Sequence, residues 1–536
     1  LKFPEIAYAL RKSFREGYGL SELSRDLMSG FTVAFVAIPL GMALAIACGL
    51  PPIYGLYTVV VAGAFTALLG GSRFQVTGPT AAFVVILIPV VGQYGFQGLM
   101  LATLMAGVLL VLLSLSGLGS LIAWIPYPVI MGFTAGIALV IAGFQIKDFF
   151  GLGAEWSASY FLQEIQNFTA GGFSISWPDT SLGILTLVLI FVFSKFKRRL
   201  PPAVLSILIV TLLAQLGASF FEFFEPVTIG SRFGELPSQL PSFAWPWGER
   251  FDFEMVSNLM PSALTIAVLA AIESLLSASV ADSVTGDRHD PNSELMALGV
   301  SNIFCSMFGG FAATGAIART SANIEFGARS PLSAFFHAVF VLIALLTLMP
   351  FLSMIPLAAL AALLMFVAYK MAELKNIFHF LKAAPGHDRS VFLACFGFTV
   401  FFDMVVGVTV GLCLAGLLFV KRVSETMQIK QSLPESSVEA CDQTLVYKMS
   451  GPFFFGVAQK ATSSLSELSR TYSKICFDLS DLQTMDYTAL IAFENVIRRL
   501  KKENRQIEII TRSSAVAKLL KSSSLIQEAT HLKVGS

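Results

Sequence analysis

The chain has 536 residues, 55% of them apolar and 13% charged, with a mean hydropathy of +0.73 and a formal net charge of +1. An ordinary soluble domain is about 25% charged, so a soluble globular protein is excluded; the net charge excludes nothing by itself, and its placement says more. Apolar runs recur from Phe31 to Val420, and about 20 apolar residues cross a bilayer as a helix, so the composition is that of a polytopic α-helical membrane protein.

Residues 1–25 read as a cytoplasmic, amphipathic lead-in carrying Arg11, Lys12, Arg15 and Arg25, with no cleavable signal pattern. Apolar segments are then expected at 27–49, 54–70, 79–95, 98–116, 120–146, 181–196 and 201–220. The Pro-, Gly- and aromatic-rich stretch 221–252 reads as an external connector, with Trp245 and Trp247 at the interface. A second set follows at 257–283, 292–308, 318–328, 331–350, 354–370, 388–402 and 404–420. Seven plus seven puts both termini on one side. The basic flanks Lys197, Arg198, Arg199, Lys421 and Arg422 put that side in the cytoplasm. From about residue 440, TLVYKMSG, KICFDLSD and QIEIITRS are strand-like, with helical stretches around 457–472 and 488–502. The expected division is a cytoplasmic segment 1–25, a transport domain 26–422, and a linker with a small cytoplasmic α/β domain 423–536.

The six cysteines show no CxxC or metal-like spacing, and Cys48, Cys305, Cys395 and Cys413 read as small packing residues. His289, His337, His379, His387 and His531 are dispersed. With no His/Asp/Glu cluster, Cys/His nucleophile pair or P-loop, a membrane enzyme is disfavoured, and neither a metal, a cofactor nor a nucleic-acid partner is expected.

The third apolar run of each half starts after a break: VTGPTAAF at 76–83 and GGFAATGAIARTSAN at 309–323. Paired interrupted segments in corresponding positions of two halves point to a transporter's binding site; either one alone could be a packing kink. Short helices starting near Pro79 and Ala316 would present N-termini at mid-membrane depth, where free N–H groups and the dipole favour an anion. Thr80 can add a hydroxyl, and Arg319 sits one turn into the second helix, as an anion support or as a cap on neighbouring carbonyls. In LTIAVLAAIESLLSASVAD, Glu273 lies mid-span with Ser277 one turn later on the same face. A carboxyl taken out of water favours its neutral form, which suits a proton carrier or cation ligand. A pairing with Arg319 is the other reading. Lys147, Asp148 and Asp403 read as helix-end anchors, and Asp282, Asp287 and Glu294 as loop fixation.

These residues together resemble the sulfate permease family (SulP, the SLC26-type anion transporters) over nearly the whole chain. PPIYGLYTVVVAGAFTALLGGSRFQVTGPTAA is similar to the family's signature at its second and third spans. DSVTGDRHDPNSELMALGVSNIFCSMFGG, with Asn292, Glu294 and Asn302, is similar to its loop before the ninth. DLSDLQTMDYTAL is similar to the core of a STAS domain. The resemblance implies an all-α membrane domain of fourteen segments in two inverted repeats of seven. Core and gate domains would move in an elevator-like way, and the C-terminal α/β STAS domain would follow. It further implies a homodimer in the bacterial inner membrane. The anion seat would be Thr80, Ala81, Gly315, Ala316 and the adjoining backbone, supported by Arg319.

Departures from the family pattern select among subtypes. Sodium-coupled bicarbonate members have Asp and Thr where this chain has Glu273 and Ser277, and Gly-Ala-Thr-Met-Arg where it has Gly315-Ala316-Ile317-Ala318-Arg319. Replacing a Thr hydroxyl by Ile317 removes an oxygen donor that a hard cation needs, which argues against sodium and leaves Glu273, with Ser277, for proton coupling. In the animal exchangers the residue before the Arg is commonly Ser, where this chain has Ala318. On the first span, Leu40 and Leu44 stand where many members have Gln and an aromatic residue, so Leu40, Leu44 and Ile317 form a more aliphatic pocket wall. GGSRFQVTGPTAAFVVIL and ATGAIARTSANIEFGARSP resemble the bacterial dicarboxylic acid transporter subgroup, implying proton-driven uptake of succinate or fumarate, with bicarbonate and sulfate as alternatives. At the turn where phosphorylated soluble STAS proteins carry Asp-Ser-Ser/Thr-Gly, this chain has Asp486-Tyr487-Thr488-Ala489, so a structural or dimer-supporting domain, open to a cytoplasmic protein partner, is expected. An uncoupled exchanger or channel, and a membrane-anchored sensor, are the competing functions.

Overall fold

The structure is a computed structural model that describes residues 4–117, 119, 126–152, 174–196, 201–221, 224–247, 253–402, 404–432, 444–454, 473–523, 526–527 and 531–534. The basic run 197–199, Asp403 and the helical stretch expected at 457–472 lie outside the described residues. The chain divides into two compact units, Leu1–Leu412 and Cys413–Ser536.

In the first unit, α1 (Tyr8–Arg15) leads into α2 (Leu20–Ala47), α3 (Pro52–Leu69), β1 (Thr77–Gly78) and α4 (Ala81–Leu115). Then come α5 (Tyr127–Phe144), α6 (Ile146–Phe150), α7 (Trp177–Ser194), α8 (Pro202–Phe220) and α9 (Ile229–Phe233). The second half runs through α10 (Phe253–Thr285), α11 (Pro291–Met307), β2 (Thr314–Gly315), α12 (Ile317–Glu325), α13 (Leu332–Thr347) and α14 (Met349–Leu352). It ends with α15 (Leu357–Ala372), α16 (Leu374–Ala383), α17 (Gly386–Phe401) and α18 (Met404–Glu425), the last of which continues into the second unit. Nine helices among the described residues are long and apolar enough to cross a membrane. The helix starts are written in the sequence: Pro52, Pro178, Pro202 and Pro291 occupy first-turn positions, where a missing N–H is harmless. The runs expected at 79–95 and 98–116 form one element, α4, interrupted at Gly95, whose φ of 66° suits glycine. The amphipathic α16 follows a left-handed Glu373 and falls in a stretch where no apolar segment is expected.

Helices α2 and α3 pack on α13, while α4 packs on α10 and α11. The α4–α11 approach is close because Gly107 and Gly299 face each other; a Cβ on Gly107 would stand 2.8 Å from the Gly299 carbonyl oxygen. The two sequence breaks meet. Strands β1 and β2 pair antiparallel, with Thr77 opposite Gly315 and Gly78 opposite Thr314.

The second unit carries a five-stranded sheet in the order β3 (Gln428–Ser432), β4 (Thr444–Phe453), β5 (Lys474–Met485), β6 (Gln506–Thr511), β7 (His531–Val534). The first pair is antiparallel and the others are parallel. Helices α19 (Tyr487–Lys502) and α20 (Ser514–Lys521) pack on it over a core that includes Tyr447, Phe477 and Phe493. Asp486 caps α19 by accepting from the Ala489 N–H at 2.8 Å, which explains an Asp at that turn without phosphorylation chemistry.

Candidate functional site

Each half contributes a loop, a two-residue strand and a helix. Thr80 is the N-cap of α4 and Ala316 that of α12. Antiparallel pairing of β1 and β2 sends the two helices away from a shared centre, with both N-termini beside it. First-turn amides at Ala81, Ala82, Ile317 and Ala318 have no carbonyl a turn behind them, so the centre is electropositive without a full charge exposed. Ala81 is buried, Thr80 and Ala316 are half-buried, and Ile317 is 40% exposed.

The crossing is held by groups from three other elements. The Ala316 N–H donates to the Val76 carbonyl at 3.0 Å. Thr320 Oγ1 accepts from the Val76 N–H at 3.1 Å and from Ser277 Oγ at 3.1 Å. Gln75 Nε2 donates to Ser274 Oγ at 2.5 Å, and Thr314 Oγ1 to the Ala270 carbonyl at 2.8 Å. Asn302 pairs with Ala313 like a peptide group, accepting its N–H at 2.8 Å and donating to its carbonyl at 3.0 Å. Glu294 Oε2 accepts from the Gly71 and Ser72 N–H groups at 2.8 and 2.9 Å and fixes the loop before β1.

Arg319 is 2% exposed, and its Nη2 donates to the Pro79 carbonyl at 2.5 Å. Its guanidinium occupies the space a side chain at position 78 would need, so any larger residue there would displace it from the Pro79 carbonyl. Arg319 therefore braces the strand crossing from behind. Glu273, half-buried on α10, accepts a hydrogen bond from Thr80 Oγ1 at 2.9 Å. Among the described residues no ion pair joins Glu273 to Arg319. The structure thus brings together Thr80, Ala81, Gly315, Ala316, Arg319 and Glu273. Ser277 is tied to Thr320. Of the expected wall residues, Ile317 stands at the seat, and Leu40 is half-buried and Leu44 fully buried on α2, which touches α12.

Gln75, Ser274, Thr314 and Thr320 were not singled out by sequence reasoning. Their one signal is proximity in the chain to the breaks and to Glu273. Among the loop charges, Asp148 pairs with Arg232, and Asp282 accepts from the His289 N–H at 3.1 Å. Asp287 pairs with Lys12 and Arg73. Burial works the other way, but the Lys12 hydrogen bond and the Arg73 guanidinium hold the Asp287 carboxyl below the usual carboxylate range. Beside this cluster lies a cavity of about 430 Å³ whose lining includes Glu16, Phe74, Asp287 and Arg329.

Residues 23–395 match the Sulfate permease family, and residues 435–534 match the STAS domain. The chain belongs to the sulfate permease family. "Putative sulfate transporter YvdB" of Bacillus subtilis (strain 168) is 39% identical over 518 residues, covering 96% of each chain. "Bicarbonate transporter BicA" of Picosynechococcus sp. (strain ATCC 27264 / PCC 7002 / PR-6) is 29% identical over 512 residues, covering 90% of this chain and 88% of its own. A solved structure of the murine Solute Carrier 26 family member A9 anion transporter superposes with a TM-score of 0.87 at 16% identity, covering 99% of this chain and 93% of that one; this likeness shows the fold. The protein is accordingly a polytopic membrane anion transporter, not an enzyme, with a helical membrane domain and a C-terminal STAS domain. The two relatives carry sulfate and bicarbonate in their names, not dicarboxylates.

Proposed function

We propose that the chain is a proton-coupled transporter of a small oxyanion, sulfate being the first substrate to test, and that the proton is carried by Glu273. The observation behind this reading is the 2.9 Å hydrogen bond from Thr80 to Glu273. An ionised Glu273 is acceptor-only, so it holds the Thr80 proton and leaves oxygen lone pairs facing the seat. A protonated Glu273 can itself donate to Thr80 Oγ1, and the Thr80 proton then turns toward the anion. Protonation and anion binding therefore favour each other, and by linkage each strengthens the other by the same factor. Ser277, tied to Thr320, keeps α10 in register with β1 while Glu273 changes state. Transport follows by elevator-like movement of the seat between the two membrane faces. A homodimer with cytoplasmic termini and a STAS domain open to a protein partner completes the proposal.

Sulfate comes first because the relative sharing 39% identity is named for it. A C4-dicarboxylate is the second reading. It is favoured by Ile317, which is 40% exposed at the seat and offers an aliphatic surface to a carbon skeleton.

The test is uptake of labelled sulfate, bicarbonate, succinate and fumarate into proteoliposomes, with and without an inward proton gradient. Sulfate accumulation driven by protons and indifferent to sodium is expected. Proton-driven uptake of succinate alone would select the second reading, and flux of every anion regardless of gradient would sink the coupling.

A further inference from the structure

His337 on α13 is fully buried, and neither ring nitrogen makes a well-formed hydrogen bond, the Ala334 carbonyl one turn earlier offering only a marginal contact. It is not alone. Thr77 Oγ1, at the crossing itself, and Thr66 Oγ1 and Glu294 Oε1 are buried and also without partners. Buried polar groups are ordinarily satisfied by protein or by ordered water. Thr66 departs from its own helix: Thr58 on α3 donates back to the Tyr54 carbonyl at 2.8 Å, as intramembrane hydroxyls usually do, and Thr66 does not.

These atoms follow one line. Gly63, Thr66 and Gly70 share a face of α3 and its end, at spacings of three and seven residues, spanning roughly 10 Å along the axis. A Cβ on Gly63 would stand 3.6 Å from both His337 Nδ1 and the Thr77 carbonyl oxygen. A Cβ on Gly70 would stand 3.0 Å from Glu294 Oε2. The face thus runs from the seat, past His337 and Thr66, to Glu294 at the end of α3 where the N-terminal segment docks through Ala7 N–H and the Leu69 carbonyl.

We propose that this seam along α3 binds a short file of ordered water and is the route by which protons reach the anion seat, separate from the path of the anion. This rests on the proton-coupled reading above. A neutral imidazole has one donor and one acceptor nitrogen, so His337 can take a proton on one nitrogen while releasing the other. Thr66 and water relay in the same way. The proton is passed along α3 from the Glu294 end to the strand crossing at Thr77, with no net change in the relay groups. Of the charges packed around α13, Arg319 on α12 acts on His337 electrostatically, and Asp26 on α2 accepts from Ser330 just before the helix begins. Helix α3 adds only Tyr54 and Tyr57, toward its opposite end, and α14 carries no titratable group.

The test uses Gly63→Ala, which removes no polar group and puts a methyl where the file would run, in van der Waals reach of His337 and slightly tight against Ala338 Cβ at 3.3 Å. Thr66→Val is the second variant. Both are assayed in the full chain for proton-driven accumulation and for anion counterflow without a gradient. Loss of the first with the second retained is the expected result; proton-driven accumulation as in the unaltered protein overturns the route. If the unaltered protein shows no proton drive, the parent reading has failed and the route falls with it. A map that resolves solvent then judges the seam alone: water on His337 and Thr66 supports the site, and protein groups closing on both overturn it.

Discussion

The two half-helices at the seat are built differently. On the α4 side the cap is Thr80, a hydroxyl bonded to a titratable partner on a third helix. On the α12 side the cap is Ala316, which has nothing to titrate, and the charge one turn in, Arg319, is spent on the Pro79 carbonyl. One end of the seat can therefore change its hydrogen-bonding sense with a proton, and the other is a fixed brace. On the proposed reading, two breaks that look alike in the sequence divide the work between coupling and shape.

The comparison breaks most sharply at the brace. Arg319→Ala leaves the Pro79 carbonyl unpaired and opens a cavity, so stability is expected to fall by roughly 2–4 kcal/mol and anion affinity by about tenfold or more. Thermal unfolding and ligand-binding titration read these, and an unchanged affinity would make Arg319 purely structural. Glu273→Gln should separate the ends: its amide donates to Thr80 permanently, so anion affinity stays within about threefold while its pH dependence vanishes. Loss of binding with proton-driven flux retained would contradict the role given to Glu273. Thr80→Val removes the switchable hydroxyl and should weaken binding by about ten- to a hundredfold, the worth of one hydrogen bond to a charged group, as measured by the same titration. Ile317→Thr acts on the fixed end and should shift preference from succinate toward sulfate by only a few fold in competitive uptake. Equal effects on both anions would remove Ile317 from the wall.

A smaller effect is expected far from both ends. The Asp287 carboxyl is held below its unfolded value, so its contribution to docking α1 is present above about pH 4 and is lost as pH falls through the folded value. Half-exposed and screened, it is worth under about 1 kcal/mol. Asp287→Asn should therefore raise the protease sensitivity of residues 4–18 only slightly at neutral pH, with no change between pH 6 and 8 in the unaltered protein.

Apolar run length made the helices legible, the paired Thr-Gly breaks the place where the two halves meet, and the strand-like TLVYKMSG, KICFDLSD and QIEIITRS the C-terminal sheet, because each is a local pattern. The β1–β2 pairing was not, since a two-residue strand has no periodicity. The clamp of Gly78 against Arg319 needs a distance between residues far apart in the chain. Helix α16 escaped because its lysines lower its hydropathy below that of a span. His337 read as one dispersed histidine, and only the environment on α3 and β1 distinguishes it. The strands β3 and β7 are short edges with polar sequences that a turn would also accept.

The central claim is that one proton on Glu273 and the anion bind together. The most direct test is proton uptake on anion binding, followed with a pH indicator in weakly buffered detergent solution, for the unaltered protein and Glu273→Gln. The account predicts proton uptake with sulfate in the former and none in the latter, with binding seen in both. Equal proton uptake by the two, or none by either despite binding, would contradict it.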